Sequence, residues 1–450
     1  MDSKLTGVRR GGRARGGRAL VALALLILSS LLIAACGGGD SSSSSGGGGD
    51  TGGGGEDVTL RMPSWWWGEP GNKEWLAKAV GEFESTHPGV TVERENVPFD
   101  DYGDKVLAQV SAGDPPDVIH LTSLTFGDFV RVKALADLAP RIESESDISD
   151  KTFVPAQFEA PISQEGSTYG VIHSVETYLP FYNEEILNEA GYTEFPEDPD
   201  AFLELVKKTS NPPQQFGYAA AVKPGSPTET FTDAAIWMIA AGGALAENEE
   251  PTIDKAENVE GLTQLKELFD ADTMPTGSDK STYRQQWWDG KVGVLFDGTW
   301  MKGFAESENP QLAPEMQTAL LPWPGHRAAS IYQIWAVPDG SEHQQEAFEL
   351  IDFLQSEEMQ QSMVSETKNQ SPRLNAATPE FLKENPWFAP FAESAEKYAE
   401  PMMPAGLDAH AGEVTDIVAE QVERVLYQGA DPQEALESAQ DAVESVVAEG

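Results

Sequence analysis

Cysteine is nearly absent: Cys36 is the only one in 450 residues. That excludes a disulfide framework, a CxxC redox pair and a thiolate zinc site. Histidine is scarce as well. The six (His87, His120, His173, His326, His343, His410) are scattered without HxH or HExxH spacing, so no metal centre is expected, and a metal-binding receptor is a poor second reading. Basic residues are few: 30 Lys and Arg face 74 Asp and Glu, a formal charge of −44. Such a surface repels phosphate backbones, and no basic stripe follows residue 18, which argues against nucleic acid as a partner. Apolar residues, by contrast, make up 40% of the chain, which rules out disorder throughout. At about 150 residues per domain, the length allows up to three domains.

The N-terminus differs in chemistry from the rest. Lys4, Arg9, Arg10, Arg13, Arg15 and Arg18 precede an uncharged run, Ala19 to Ala35, in the outline of a signal peptide over residues 1–35. A membrane-spanning helix is the competing reading, but the run is at the short limit of the ~17–25 residues required. It closes on Ile33-Ala34-Ala35-Cys36, which resembles the lipobox of bacterial lipoproteins; the resemblance implies that Cys36 is lipidated and becomes the mature N-terminus. Arg9-Arg10 is followed by Gly11-Gly12-Arg13 rather than an apolar pair, so the general secretory route is expected over the twin-arginine one. Residues 37–55 contain only Gly, Ser, Asp and Thr until Gly55 and cannot bury enough apolar area to order themselves, so 36–56 reads as a lipidated cysteine and flexible tether. At about 5–6 Å × √n, that tether spans roughly 24 Å.

The remaining body alternates short strands and helices. Val58 to Met62 reads as a strand, and Trp75, Leu76, Ala79, Val80 and Phe83 recur at helical spacing until His87-Pro88-Gly89 stops them. A strand from Val90, a helix capped by Asp100 or Asp101, and a strand at Asp117–Leu121 follow. Strand-like stretches recur at Tyr169–Ile172, Thr177–Tyr182, Lys291–Phe296 and Ile331–Val337, with helices between them, and Val414, Ile417, Val418, Val422, Val425 and Leu426 form a late apolar stripe. This grammar predicts an α/β fold of two lobes built from interleaved segments, with largely parallel sheets and a ligand at the carboxyl ends of the strands.

From Val58 onward the chain resembles the family 1 extracellular solute-binding proteins of ABC importers, the maltose-type sugar-binding lipoproteins. The resemblance is carried by Phe83-Glu84 with His87-Pro88-Gly89-Val90, Pro116-Asp117-Val118, Tyr169-Gly170-Val171, Val175-Glu176, Tyr182-Asn183, Phe195-Pro196 with Ala201-Phe202, Gly290-Lys291-Val292 with Asp297-Gly298-Thr299-Trp300, and Ala347 to Gln361 followed by Ser371-Pro372-Arg373. It implies a two-lobed periplasmic-binding-protein clamshell, each lobe a mostly parallel sheet flanked by helices, with hinge strands between. The implied lobe 1 comprises 57–172 plus 326–373, and lobe 2 comprises 175–323 plus 376–450. It further implies a monomer, without cofactor or catalysis, held to the outer face of the cell membrane by its lipid. Such a protein captures an extracellular mono- or oligosaccharide and hands it to the transmembrane subunits of an ABC permease.

Sugars present flat apolar ring faces edged by hydroxyls, so aromatic platforms with carboxylates and amides suit them. Trp65, Trp66, Trp67 and Glu69 stand at the carboxyl end of the first strand, and three consecutive indoles cannot all enter one core; Trp66, Trp67 and Glu69 are candidates. The resemblance carries Glu176 over as a sugar-contacting glutamate, Trp300 as a cleft tryptophan, and Thr122 and Ser123 as loop hydrogen-bonders. Asp297, ending an apolar strand, can reach a hydroxyl, and His173, Tyr332, Trp335 and Arg373 lie near the hinge crossings. The segment Met403 to Glu413 departs from the family by lacking a stacking aromatic and offering His410 and Glu413 instead. That departure leaves open a polyamine, peptide or glycerophosphate as cargo. A wall-associated glycoside hydrolase is the further alternative, since paired carboxylates also cleave glycosides.

Overall fold

The computed structural model describes residues 57–449 apart from 70, 160, 161 and 165. The expected signal peptide, Cys36 and tether lie outside the described residues. Strand Val58–Ser64 pairs in parallel with Val90–Asn96, in register from Val58↔Val90 to Ser64↔Asn96. The connecting helix Asn72–Thr86 buries the five apolar residues its spacing picks out. It ends where Gly89 takes a φ of 97°, a left-handed conformation that glycine adopts without steric penalty. The next helix, Phe99–Ser111, begins ahead of both aspartates expected to cap it. Pro98 occupies the cap with φ −55°, so proline's fixed geometry turns the chain into the helix before Asp100 is reached.

Buried apolar side chains gather into two cores. One contains Leu60, Trp75, Phe83, Leu121, Phe129, Trp335 and Leu350; the other contains Phe181, Phe202, Trp237, Leu265, Phe296 and Val418. The chain passes from the first core to the second between Val175 and Tyr178, and membership changes again between Ala329 and Tyr332. These crossings lie on strands Val171–Thr177 and Ala328–Ala336, which pair antiparallel from Ser330↔Thr177 to Trp335↔Val171. Gln333 faces Ser174 while Ile334 faces Ile172, so His173 is the extra residue of a β-bulge, a device that re-aims side chains locally.

The sheets are mixed, where largely parallel ones were expected. In the second lobe, Leu179–Asn183 runs antiparallel to both Val292–Asp297 and Met316–Thr318, while Phe216–Ala219 runs parallel to Val292–Asp297. In the first, Ala328–Ala336 is antiparallel to Ile119–Thr122, while its opening residues Ala328–Ser330, before the crossing, are parallel to Ala399–Pro401. The cause is topological: strands that carry the chain out of a lobe and back into it run in opposite directions. The late apolar stripe forms helix Ala411–Gln428, which packs on Pro227–Ala240 in the second lobe.

The lobes touch away from the crossing strands as well. Helix Phe126–Arg131 contributes Phe126 and Phe129 to the first core, and the turn Asp408–His410 follows Leu407 of the second. A Cβ on Gly127 would lie 1.8 Å from the Asp408 carbonyl oxygen, and Arg131 Nε donates to the Ala409 carbonyl at 3.2 Å. Glycine is therefore required for this approach. Gly127→Val is expected to cost about 1–3 kcal/mol in urea unfolding, the scale of overpacking. Gly412→Ala, with nothing within 4 Å of the added carbon, should stay within about 0.5 kcal/mol. Equal unfolding midpoints for the two variants would show that the contact yields freely.

Candidate functional site

Strand Val171–Thr177 is buried at all seven positions, and Glu176 sits on it where the chain changes core. Its carboxyl accepts from Ser174 Oγ on the same strand and, at 3.3 Å, from Thr299 Oγ1, which follows strand Val292–Asp297 of the second lobe. Burial pushes the Glu176 carboxyl up to about 7, against the pull of those two hydroxyls and of the Gln370 backbone, with a smaller upward push from the Glu69 carboxylate. Glu69 follows the tryptophan turn of the first lobe and accepts from Asn72 Nδ2 at 2.9 Å. Burial raises its carboxyl too, opposed by the Asn72 bond. Two carboxyls whose burial raises them above the ordinary value thus stand near the junction of the lobes.

The second lobe adds an ion pair and an aromatic wall. Asp297 ends the fully buried strand Val292–Asp297 and is held bidentately by Arg284, Nε to Oδ2 and Nη2 to Oδ1 both at 2.9 Å. Gly298 N donates to the same carboxylate at 2.9 Å, so the side chain that looked free to reach a ligand is engaged by the protein on both oxygens. Burial opposes the Arg284 charge, but the adjacent Asp297 carboxylate prevails and raises the guanidinium above its ordinary value. Trp300 opens the next helix and stands edge-on to Tyr178, with ring centroids 5.8 Å apart. A Cβ on Gly298 would lie 2.2 Å from the indole, so the Asp-Gly-Thr-Trp sequence folds this ring back over its own backbone. Of the eleven tryptophans, ten are buried and Trp300 alone is partly exposed.

The other expected residues divide into groups. Trp66 is buried edge-on to Trp75, His120 and His173, at 5.9, 5.5 and 4.9 Å. Trp67 donates from Nε1 to the Met62 carbonyl and lies under Arg94, and with Trp65 all three consecutive indoles enter the first core, contrary to the expectation, because the chain leaves the strand there in a short 3₁₀ turn. His173 contacts His120, Nε2 to Nε2 at 2.8 Å, and stacks on Trp335; its Nδ1 is buried without a partner among the described residues. Burial lowers His173 to about 3, so both rings of the pair stay neutral; His120 is also held well below the ordinary value, chiefly by burial. Ser123 and Tyr332 exchange hydrogen bonds through Ser123 N, Ser123 Oγ and the Tyr332 backbone, while Thr122 N donates to Thr125 Oγ1. Arg373 is committed within the first lobe to Asp147 and to the Gln355 carbonyl at 2.9 Å.

The structure therefore joins Glu176 to Thr299, the neighbour of Trp300, with Glu69 near enough to act on Glu176 electrostatically, and places Trp66, His173 and Trp335 in one aromatic cluster. Sequence reasoning missed Tyr178, Arg284 and Thr299. Thr299 was available inside the Asp-Gly-Thr-Trp match. Tyr178 and Arg284 carry no local signal, because the residues they meet, Trp300 and Asp297, come from other elements.

With this geometry in place, relatives can be compared. Residues 78–390 match the model of the bacterial extracellular solute-binding proteins, and the chain belongs to that family. It is 25% identical over 372 residues to the arabinooligosaccharide-binding protein of Halalkalibacterium halodurans, covering 78% of this chain and 81% of that one. It is also 25% identical over 231 residues to YcjN of Escherichia coli, named as an ABC transporter periplasmic-binding protein; that match spans 50% of this chain and about half, 52%, of the relative. Among solved structures, the ABC transporter solute-binding protein of Thermotoga lettingae bound with α-D-tagatose superposes with a TM-score of 0.74 at 19% identity, over 87% of this chain and 100% of that one. The ABC substrate-binding protein of Listeria monocytogenes in complex with cycloalternan gives 0.72 at 22% identity, over 86% and 98%. These likenesses establish the two-lobed binding-protein fold.

The buried Glu176 makes a pH prediction. Its folded value, about 7, lies above the ordinary 4.5, so between these limits the native chain holds a proton the unfolded chain has released. Stability from this group is complete below pH ~4.5 and is lost as pH rises through ~7, on the order of 3 kcal/mol in all. His120 and His173 act in the opposite sense, being neutral when folded, so the informative quantity is a difference. Glu176→Gln should lose that decline, and the difference in melting temperature between it and the parent should grow from pH 5 to 8. A constant difference would show that Glu176 is not held protonated.

Proposed function

We propose that this chain is the substrate-binding component of an ABC importer, capturing an extracellular mono- or oligosaccharide between its lobes and delivering it to the permease's transmembrane subunits. The observation that carries the reading is Trp300: the one tryptophan left partly exposed stands at the junction of the lobes, beside Tyr178 and close to Thr299 and Glu176. An indole face covers a sugar ring with few rotors to freeze, and buried hydroxyl-pairing groups reject ligands that lack the hydroxyl. A ligand touching both lobes binds the closed arrangement more tightly and shifts the hinge equilibrium towards it. The arabinooligosaccharide-binding relative and the complexes with tagatose and cycloalternan support a carbohydrate.

A polyamine fits the same place less well. Asp297 is already neutralised by Arg284, and Glu176 favours its protonated form, so these two carboxylates do not present a cation site. We take the chain to be a monomeric binder without catalytic turnover, exported and anchored through lipidated Cys36. Trp300→Ala is expected to weaken carbohydrate binding by roughly 2–4 kcal/mol, as loss of a stacked hot-spot aromatic does, while leaving the fold intact. Calorimetry after a thermal-shift screen of sugars, polyamines and short peptides checks this; a polyamine or peptide hit without any sugar hit would reverse the assignment. Cys36→Ser should move the protein from the membrane fraction to the medium, and its retention on membranes would refute the lipid anchor.

A further inference from the structure

The hydroxyl of Tyr178, whose ring meets Trp300, and two charged side chains near that ring, Lys280 and Asp233, have no role in the account so far. Tyr178 is 4% exposed, yet its hydroxyl has no hydrogen-bond partner among the described residues, although Asp297, Arg284, Asp233 and Glu176 all act on it electrostatically. That oxygen is not closed off from solvent, so its capacity to donate and accept is open to a molecule that takes the place of water. Lys280, the first residue of helix Lys280–Trp288, holds Nζ 5.4 Å from the centre of the same ring. No carboxylate lies within ion-pair reach of it among the described residues, in a chain where acids outnumber bases by more than two to one. Asp233, 1% exposed on helix Pro227–Ala240, accepts from Ala221 N at 3.2 Å through Oδ2 and feels the Lys280 charge from beyond contact distance.

We propose that Tyr178, Asp233 and Lys280 form the polar corner that reads the hydroxyl pattern of the bound sugar, taking a pair of neighbouring ring hydroxyls next to the face stacked on Trp300. This deepens the carbohydrate reading and rests on it. A hydroxyl both donates and accepts, and the corner supplies a cationic donor, an anionic acceptor and a phenol that does either. Arg284 is excluded from the role because Nε and Nη2 are spent on Asp297, which makes that pair a fixed backing rather than a reader. The charges also balance: Asp233 with Lys280 and Asp297 with Arg284 leave no net sign, which suits an uncharged ligand better than an amine or a phosphate. The three residues come from separate parts of the chain: the crossing into the second lobe for Tyr178 and two of that lobe's helices for Asp233 and Lys280.

The test uses the mature chain with arabinotriose, maltotriose and cellotriose as calorimetric probes, taking the tightest binder forward. Tyr178→Phe, Asp233→Asn and Lys280→Met should each weaken it about 10- to 100-fold, the range for removing one partner of a buried hydrogen bond. Melting temperatures should stay near the parent's, since Tyr178→Phe deletes no contact within the protein and Asp233→Asn keeps an acceptor for Ala221 N. Monodeoxy analogues of the bound sugar supply the second readout. At one hydroxyl, the parent should lose affinity on deoxygenation while Tyr178→Phe loses little more. Unchanged affinities in all three variants, or deoxy penalties identical in parent and variants, overturn the assignment with the carbohydrate reading intact. Binding of none of the probes by the parent, alongside a non-sugar hit in the screen, overturns both.

Discussion

The molecule depends on one backbone ladder. Strands Val171–Thr177 and Ala328–Ala336 are hydrogen-bonded to each other while each passes from one apolar core to the other, so two of the connections between the lobes are joined as sheet structure. Two paired strands resist stretching and shear but bend and twist at modest cost, which permits relative rotation of the lobes and little translation. Residues on the ladder then have a special position. Glu176 lies on it and bonds to Thr299 beyond it, and Tyr178 follows two residues later against Trp300. A small change in the angle between the lobes is felt first at these side chains.

Burial without charge compensation is the second theme. Within a strongly acidic chain, the junction accommodates its buried acids by two different means. Asp297 receives a guanidinium in bidentate geometry, while Glu176 and Glu69 are desolvated until the protonated form gains ground. Behind them, His120 and His173 pack as neutral rings among Trp65, Trp66 and Trp335. The result is a hydrogen-bonding surface with little net field, set into a body whose exterior is negative.

Much of the fold was legible because its signals are local. Helix Asn72–Thr86 announces itself by a 3.6-residue period and a His-Pro-Gly stop, and the two-lobe α/β plan follows from the alternation of such pieces. Strand Val171–Thr177 was read as two fragments around a gap, since every position is buried and polar His173, Ser174 and Glu176 break the apolar run. The parallel sheets expected from the alternation became mixed for a non-local reason, the return path of the crossing strands. In the site, Trp300 was visible in Asp-Gly-Thr-Trp, where Gly298 makes room for the ring. Asp233 was hidden inside a largely buried helix, Arg284 thirteen residues before the aspartate it pairs with, and Tyr178 in the crossing itself. Only three-dimensional neighbours give those residues meaning.

The distribution of indoles has an optical consequence. Ten of the eleven sit in apolar or aromatic surroundings shielded from solvent, so their emission forms a steady blue-shifted background. Trp300 alone is partly exposed, and under the proposed function it stands where a guest molecule displaces solvent. Occupancy is therefore written into the red edge of the native fluorescence, through a single reporter supplied by the chain itself and requiring no dye.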